Sequence, residues 1–136
     1  MKETVMLTIT SLLTMLLALF HVTDDIARGL EPARPSNLVL VPILVVWLYA
    51  SLLLAERRSG YVILLLGSLL GALIPVLHFQ GKRIGEIAAS SGGFFFIWTL
   101  LATGVTALFS AVLSVRGLLG HLPWRAGAQA QQGARA

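Results

Sequence analysis

Residues 10–28, TSLLTMLLALFHVTDDIAR, join an apolar run long enough to enter a lipid bilayer to a cluster of ionisable side chains. On one continuous helix, at about 100° per residue, six of the polar side chains of this stretch share an arc of roughly 100°. They are Thr10, Thr14, His21, Asp24, Asp25 and Arg28. The remaining surface is mainly Leu, Met, Ile and Val. One polar face on an otherwise apolar helix indicates an integral membrane protein.

The composition of the whole chain supports this interpretation. Of its 136 residues, 57% are hydrophobic and only 12% are charged, which is outside the usual range for a soluble domain. The net charge is +4, but the basic residues stand singly or in pairs between apolar runs, so anionic lipid headgroups are the expected partner and nucleic acid is not. The absence of cysteine excludes disulfides, thiolate nucleophiles and iron–sulfur clusters.

Four apolar runs are separated by charged or glycine- and proline-containing breaks. About 20 residues are needed to cross ~30 Å of hydrocarbon, and none of the runs has the period-two alternation of a barrel strand. We therefore predict an all-α membrane protein, with four transmembrane helices in an up-and-down bundle within residues 1–116. The predicted spans are about 4–22, 37–55, 61–79 and 93–115. Residues 80–91 are expected to form a polar loop, and residues 117–136 a flexible C-terminal tail.

Small residues form two seams along the predicted helices. Gly60, Gly67, Gly71 and His78 lie within about 40° on a helical projection of the third span, and Gly67 and Gly71 form a GxxxG pair. A second seam is formed by the hydroxyls of the fourth span: Thr99, Thr103, Thr106, Ser110 and Ser114. Such seams let helix backbones approach closely in lipid, either within one chain or between subunits. They favour a homo-oligomer or a larger membrane complex.

The distribution of Lys and Arg predicts the orientation. With four spans, the termini and the turn at 56–60 share one side of the membrane. That side has six basic residues against four on the other: Lys2, Arg57, Arg58, Arg116, Arg125 and Arg135 against Arg28, Arg34, Lys82 and Arg83. The positive-inside rule then places both termini in the cytoplasm, and the loop composition favours a bacterial inner membrane.

The same topology brings the ends of the first and third spans to the outer face. His21, Asp24, Asp25 and His78 would meet there, with Glu86 on the same side. Imidazole and carboxylate are ligands for transition metals, and the two aspartates stand at i+3 and i+4 from His21, where they can share one metal with it. Two histidines from separate helices would also suffice for a haem b. The alternative reading of the same residues is that they are polar anchors where the helices leave the hydrocarbon.

Three functions remain open at this point. The first is a non-enzymatic structural or accessory subunit that oligomerises, since no nucleophile motif surrounds any serine. The second is a metal- or haem-binding redox protein with its site at the outer face. The third is a small dimeric transporter or channel, because four-span chains of this size resemble small multidrug exporters and fluoride channels. The chain lacks the membrane-embedded glutamate of the former and the early glycine-rich stretch with arginine of the latter.

Overall fold

The computed structural model describes residues 2–30, 34–80 and 84–120, without the side chains of residues 36 and 37. Of the described residues, 89% are helical, and no strand occurs among them. In chain order the helices are α1 (Lys2–Ala27), a 3-10 helix (Pro35–Val39), α2 (Leu40–Leu53), α3 (Arg58–Phe79), α4 (Ile84–Ala89) and α5 (Gly93–Gly120). The predicted all-helical class is confirmed.

Three of these helices are long and apolar enough to cross a membrane. They are α1 with 26 residues, α3 with 22 and α5 with 28. At 1.5 Å per residue even the shortest extends roughly 33 Å, slightly more than a hydrocarbon core of about 30 Å. This agrees with a membrane protein.

The second predicted span, 37–55, has a different form. Its regular part, α2, has only 14 residues and follows a five-residue 3-10 helix. Pro42 stands in the first turn of α2, where a missing N–H does least harm. The structure thus contains four apolar segments, of which α2 alone is shorter than a span requires.

The predicted loop and the predicted tail also differ from the structure. The predicted polar loop 80–91 contains the short helix α4, which the six-residue sequence IGEIAA does not reveal by any apolar periodicity. The predicted tail 117–136 begins inside α5, which continues to Gly120. Residues 121–136 lie outside the described residues.

The long helices α1 and α3 both run antiparallel to α5. Gly71 lies against Ala107, Gly104 against Pro75 and Gly117 against Tyr61, so residue numbers rise along α3 as they fall along α5. On α1, Glu3 pairs with Arg116 at one end and His21 meets Thr99 at the other. The C-terminal ends of α1 and α3 therefore lie beside the N-terminal end of α5.

The glycine seam of α3 is buried, as its spacing predicts. A Cβ on Gly67 would stand 2.6 Å from the Trp47 ring, and one on Gly71 would stand 3.1 Å from both Thr14 and Ala107. Helix α2 is attached through the same tryptophan, whose Nε1 donates to Ser11 Oγ at 2.7 Å. The seam is thus filled by side chains from the other helices of the same chain.

Candidate metal centre

His21, Asp25 and His78 meet at the end of the bundle where α1 and α3 terminate. His21 and Asp25 are one turn apart on α1, and His78 is the penultimate residue of α3. One potential ligand atom from each lies within 4.8 Å of the other two. Asp25 Oδ2 stands 3.2 Å from His78 Nε2 and 3.8 Å from His21 Nε2. The carboxylate therefore lies at the centre of the cluster.

Hydrogen bonds on the far side of each ring define which nitrogen carries hydrogen. His78 Nδ1 is 2.8 Å from the carbonyl of Ile74, which only accepts, so Nδ1 is the protonated nitrogen. His21 Nδ1 is 3.3 Å from Thr99 Oγ1. The Thr99 hydroxyl lies closer to two backbone carbonyls, at 2.9 Å from Phe95 and 3.1 Å from Phe96, and donates there. Thr99 thus accepts from His21, which assigns hydrogen to Nδ1 of this ring as well.

These assignments leave three acceptors facing one another. Both Nε2 atoms present lone pairs, and they face a carboxylate that also only accepts when ionised. His21 Nε2 and Asp25 Oδ1 are buried and have no hydrogen-bond partner. A buried polar atom without a partner costs about 1–3 kcal/mol. A second proton on His78 would satisfy its contact with Asp25 Oδ2, but it would leave both of the unpaired atoms as they are.

The surroundings enclose the cluster unevenly. His21 is completely buried, and the Asp25 side chain is 10% exposed. The Phe96 ring packs against His21 at 4.8 Å between centroids and against His78 at 5.8 Å. The side chain of His78 is 32% exposed, so the cluster is closed by α5 and reached from the His78 side.

Asp24 does not join this cluster. Its Oδ2 accepts from Arg28 Nε at 2.7 Å, and the same guanidinium donates to the backbone carbonyl of Ser91 at 2.8 Å. Neighbouring residues on a helix point about 100° apart, so Asp24 and Asp25 cannot face the same point. Glu86, on the exposed surface of α4, is also outside the three-residue cluster. Of the four predicted ligands, the structure brings together His21, Asp25 and His78.

Sequence reasoning missed the contribution of α5. The sequence places Thr99 in a hydroxyl packing seam and gives Phe96 no role at the site, yet both contact His21. Other hydroxyls of α5 do bond to the helix's own carbonyls, as Thr103 and Ser114 show. Thr99 does the same and in addition accepts from His21, and nothing in the spacing of residues 78 positions apart indicates this second contact. Only the antiparallel register of α1 and α5 brings the two together.

Comparison of the chain with protein-family models, with curated proteins and with solved structures gives no match in any of the three.

The donor set of the cluster indicates which ions suit it. Imidazole nitrogen suits zinc, copper, iron and nickel, and a carboxylate adds manganese. A tetrahedral zinc ion with bonds of about 2.0–2.1 Å holds neighbouring ligand atoms about 3.3 Å apart, close to the two distances from Asp25.

Proposed function

We propose that this chain is an integral membrane protein with four membrane-crossing segments that holds a divalent transition-metal ion near one end of the bundle. The ligands are His21 Nε2, His78 Nε2 and the Asp25 carboxylate. The observation that supports the proposal most directly is the meeting of three potential ligand side chains at a point where His21 Nε2 and Asp25 Oδ1 are buried without a hydrogen-bond partner. A cation supplies the missing positive charge, and it gives the unpaired Nε2 of His21 a partner.

The outward hydrogen bonds of the two rings support the same conclusion. A histidine bound to a metal almost always donates its other N–H to a carbonyl, a carboxylate or a water, which fixes the tautomer and the ring orientation. His78 does so through Ile74, and His21 does so through Thr99.

The geometry gives a haem less support than a single metal ion. Iron bound by both histidines would need the porphyrin plane between the two rings. Their centroids are 4.8 Å apart in an edge contact, and Phe96 packs against both. The Asp25 carboxylate already occupies the position between their Nε2 atoms. We therefore do not propose haem b as the cofactor.

The length of the second segment supports four spans. The 3-10 helix rises about 2 Å per residue and α2 about 1.5 Å, so residues 35–53 together extend roughly 31 Å, enough for the hydrocarbon core. With four spans, the excess of Lys and Arg on the side of the termini favours cytoplasmic termini in a bacterial inner membrane. The metal site then faces the outer side.

The test is to purify the full chain with a histidine-free affinity tag and to measure bound metals and the visible spectrum. We expect about one transition-metal ion per chain, lost in His21→Ala, His78→Ala and Asp25→Asn. Asp24→Asn is the matched control, since it changes the adjacent carboxylate and should keep the metal. A folded protein that is isolated without metal, and that takes up no added Zn²⁺, Cu²⁺, Ni²⁺ or Mn²⁺, would contradict the proposal.

A further inference from the structure

Within the described part of the chain, the candidate metal centre offers an ion three side-chain ligands and no fourth. Among residues 2–30, 34–80 and 84–120, the only such group of metal-binding side chains is His21, Asp25 and His78. Nearby polar groups are engaged elsewhere. The Thr99 hydroxyl donates to the α5 backbone, and the Asp24 carboxylate is held by Arg28. Structural zinc sites have four protein ligands, whereas three ligands are characteristic of sites that exchange their fourth.

A second observation concerns the other oxygen of Asp25. Oδ1 is buried and has no partner, although Oδ2 of the same carboxylate faces both histidines. An unpaired acceptor beside the ion is placed to receive a hydrogen bond from a small protic ligand on the metal. If Oδ1 instead bound the metal itself, the carboxylate would be bidentate and the fourth position would be filled.

Exposure differs between the two sides of the cluster. Phe96 packs against the fully buried His21, whereas the His78 side chain is about one-third exposed. The exposed part of the cluster therefore lies at His78, near the C-terminal ends of α1 and α3.

We infer that the metal centre has an open coordination position that takes a water molecule or a small monodentate anion from the outer aqueous side. This inference rests on the proposed metal site. Asp25 then has two tasks: Oδ2 binds the ion, and Oδ1 accepts a hydrogen bond when the exchangeable ligand is water. The chemical class of ligand is a small oxygen or nitrogen donor.

The test uses the full chain in detergent, loaded with Co²⁺, whose visible absorption reports its coordination. Sodium azide is titrated against the loaded protein, with sodium perchlorate at equal ionic strength as the non-coordinating control. We expect azide to shift the Co²⁺ bands saturably, with one azide per cobalt and no loss of bound cobalt, and perchlorate to leave them unchanged.

The outcomes separate the two proposals. Bound Co²⁺ whose spectrum does not respond to azide means a filled coordination sphere, and the open position is then wrong while the metal site stands. Removal of the cobalt by azide also contradicts the inference. Failure of the folded protein to bind Co²⁺, Zn²⁺ or any other divalent ion overturns the metal site and the open position together.

Discussion

Asp25 and His78, 53 positions apart in the chain, bring a carboxylate oxygen within 3.2 Å of an imidazole nitrogen whose ring carries its hydrogen on the opposite side. Two acceptors at this distance repel each other unless a proton or a metal ion lies between them. The second histidine, His21, adds a third acceptor 3.8 Å from the same oxygen. This arrangement leads to a set of expectations that distinguish a metal site from a packed polar cluster.

Metal should reverse the order of stability of the wild type and the Asp25→Asn variant. In Asp25→Asn, the amide can donate hydrogen to the lone pair of His78, so the metal-free variant should be at least as stable as the metal-free wild type. With metal at a hundred times its dissociation constant, the wild type should gain about 2.7 kcal/mol and become the more stable protein. Thermal unfolding in detergent with and without chelator measures this reversal. Equal responses of both proteins to metal would contradict a ligand role for Asp25.

Thr99 should act on the metal through His21. Thr99→Val keeps the shape of the side chain but removes the acceptor for His21 Nδ1–H, and loss of such an outer partner typically lowers metal affinity about 10–100-fold. Thr99→Ser retains the hydroxyl and should retain the affinity. Competition with a coloured chelator gives both constants. Equal affinities for the valine and serine variants would show that His21 is oriented by packing alone.

Gly67 should not tolerate a side chain. A Cβ there would stand 2.6 Å from the Trp47 ring, and overpacking of this kind costs about 1–3 kcal/mol. Gly67→Ala should therefore lower the free energy of unfolding, and Gly67→Leu should lower it further. Gly85→Ala is the matched control, because Gly85 lies in helix α4 and has no atom within 4 Å of its added Cβ. Denaturation in mixed detergent measures the difference, and equal stability of the two alanine variants would refute the contact.

The hydrogen bond between Trp47 and Ser11 should contribute modestly to the attachment of α2. Trp47 Nε1 donates to Ser11 Oγ at 2.7 Å, and Ser11 Oγ is also 2.8 Å from Ser51 Oγ. Hydrogen bonds between membrane helices average about 0.6 kcal/mol and reach about 1.7 kcal/mol. A double-mutant cycle with Trp47→Phe and Ser11→Ala should give a coupling energy in this range. Additive effects of the two substitutions would mean that the tryptophan acts through its packing only.

The crossing of the membrane by α3, and the direction of that crossing, can be tested by labelling, because the chain contains no cysteine. With four spans and cytoplasmic termini, the turn before α3 faces the cytoplasm and the segment before α5 faces outward. Ser59→Cys should resist a membrane-impermeant maleimide in intact cells and react after lysis, whereas Ser91→Cys should react in both. The reverse pattern would invert the orientation. Reaction of both cysteines in intact cells would place them on one side and contradict a span between them.

The sequence predicts the three long helices and, at the site, the shared helix face of His21 and Asp25. Apolar runs near 20 residues predict α1, α3 and α5, and the i, i+4 spacing predicts that His21 and Asp25 share a face. The sequence does not predict which of Asp24 and Asp25 joins the histidines, because both lie in the polar arc. In the structure, the ion pair with Arg28 holds Asp24 outside the cluster. The 3-10 start before α2 is equally hidden, since apolar composition does not distinguish it from an α-helical turn.

The contribution of α5 could not be predicted, because it depends on register between distant segments. A shift of one helical turn, about 5.4 Å, would move Thr99 away from His21 and leave both helices equally apolar. The register is fixed by shape, where Pro75 fits against Gly104 and Gly71 against Ala107. Such complementarity follows from three-dimensional packing and has no signature in either helix alone.

The packing of α1 and α3 against the antiparallel helix α5 also has a consequence for biogenesis. His21 is synthesised in the first helix, His78 in the third, and the residues that orient and cover them, Thr99 and Phe96, in the last. The enclosed cluster therefore does not exist until the ribosome has passed residue 99 and α5 has inserted beside its partners. A nascent chain stalled before that point exposes two histidines with no acceptor from α5 to orient His21. The proposed metal site is therefore completed late in synthesis, once α5 has joined α1 and α3.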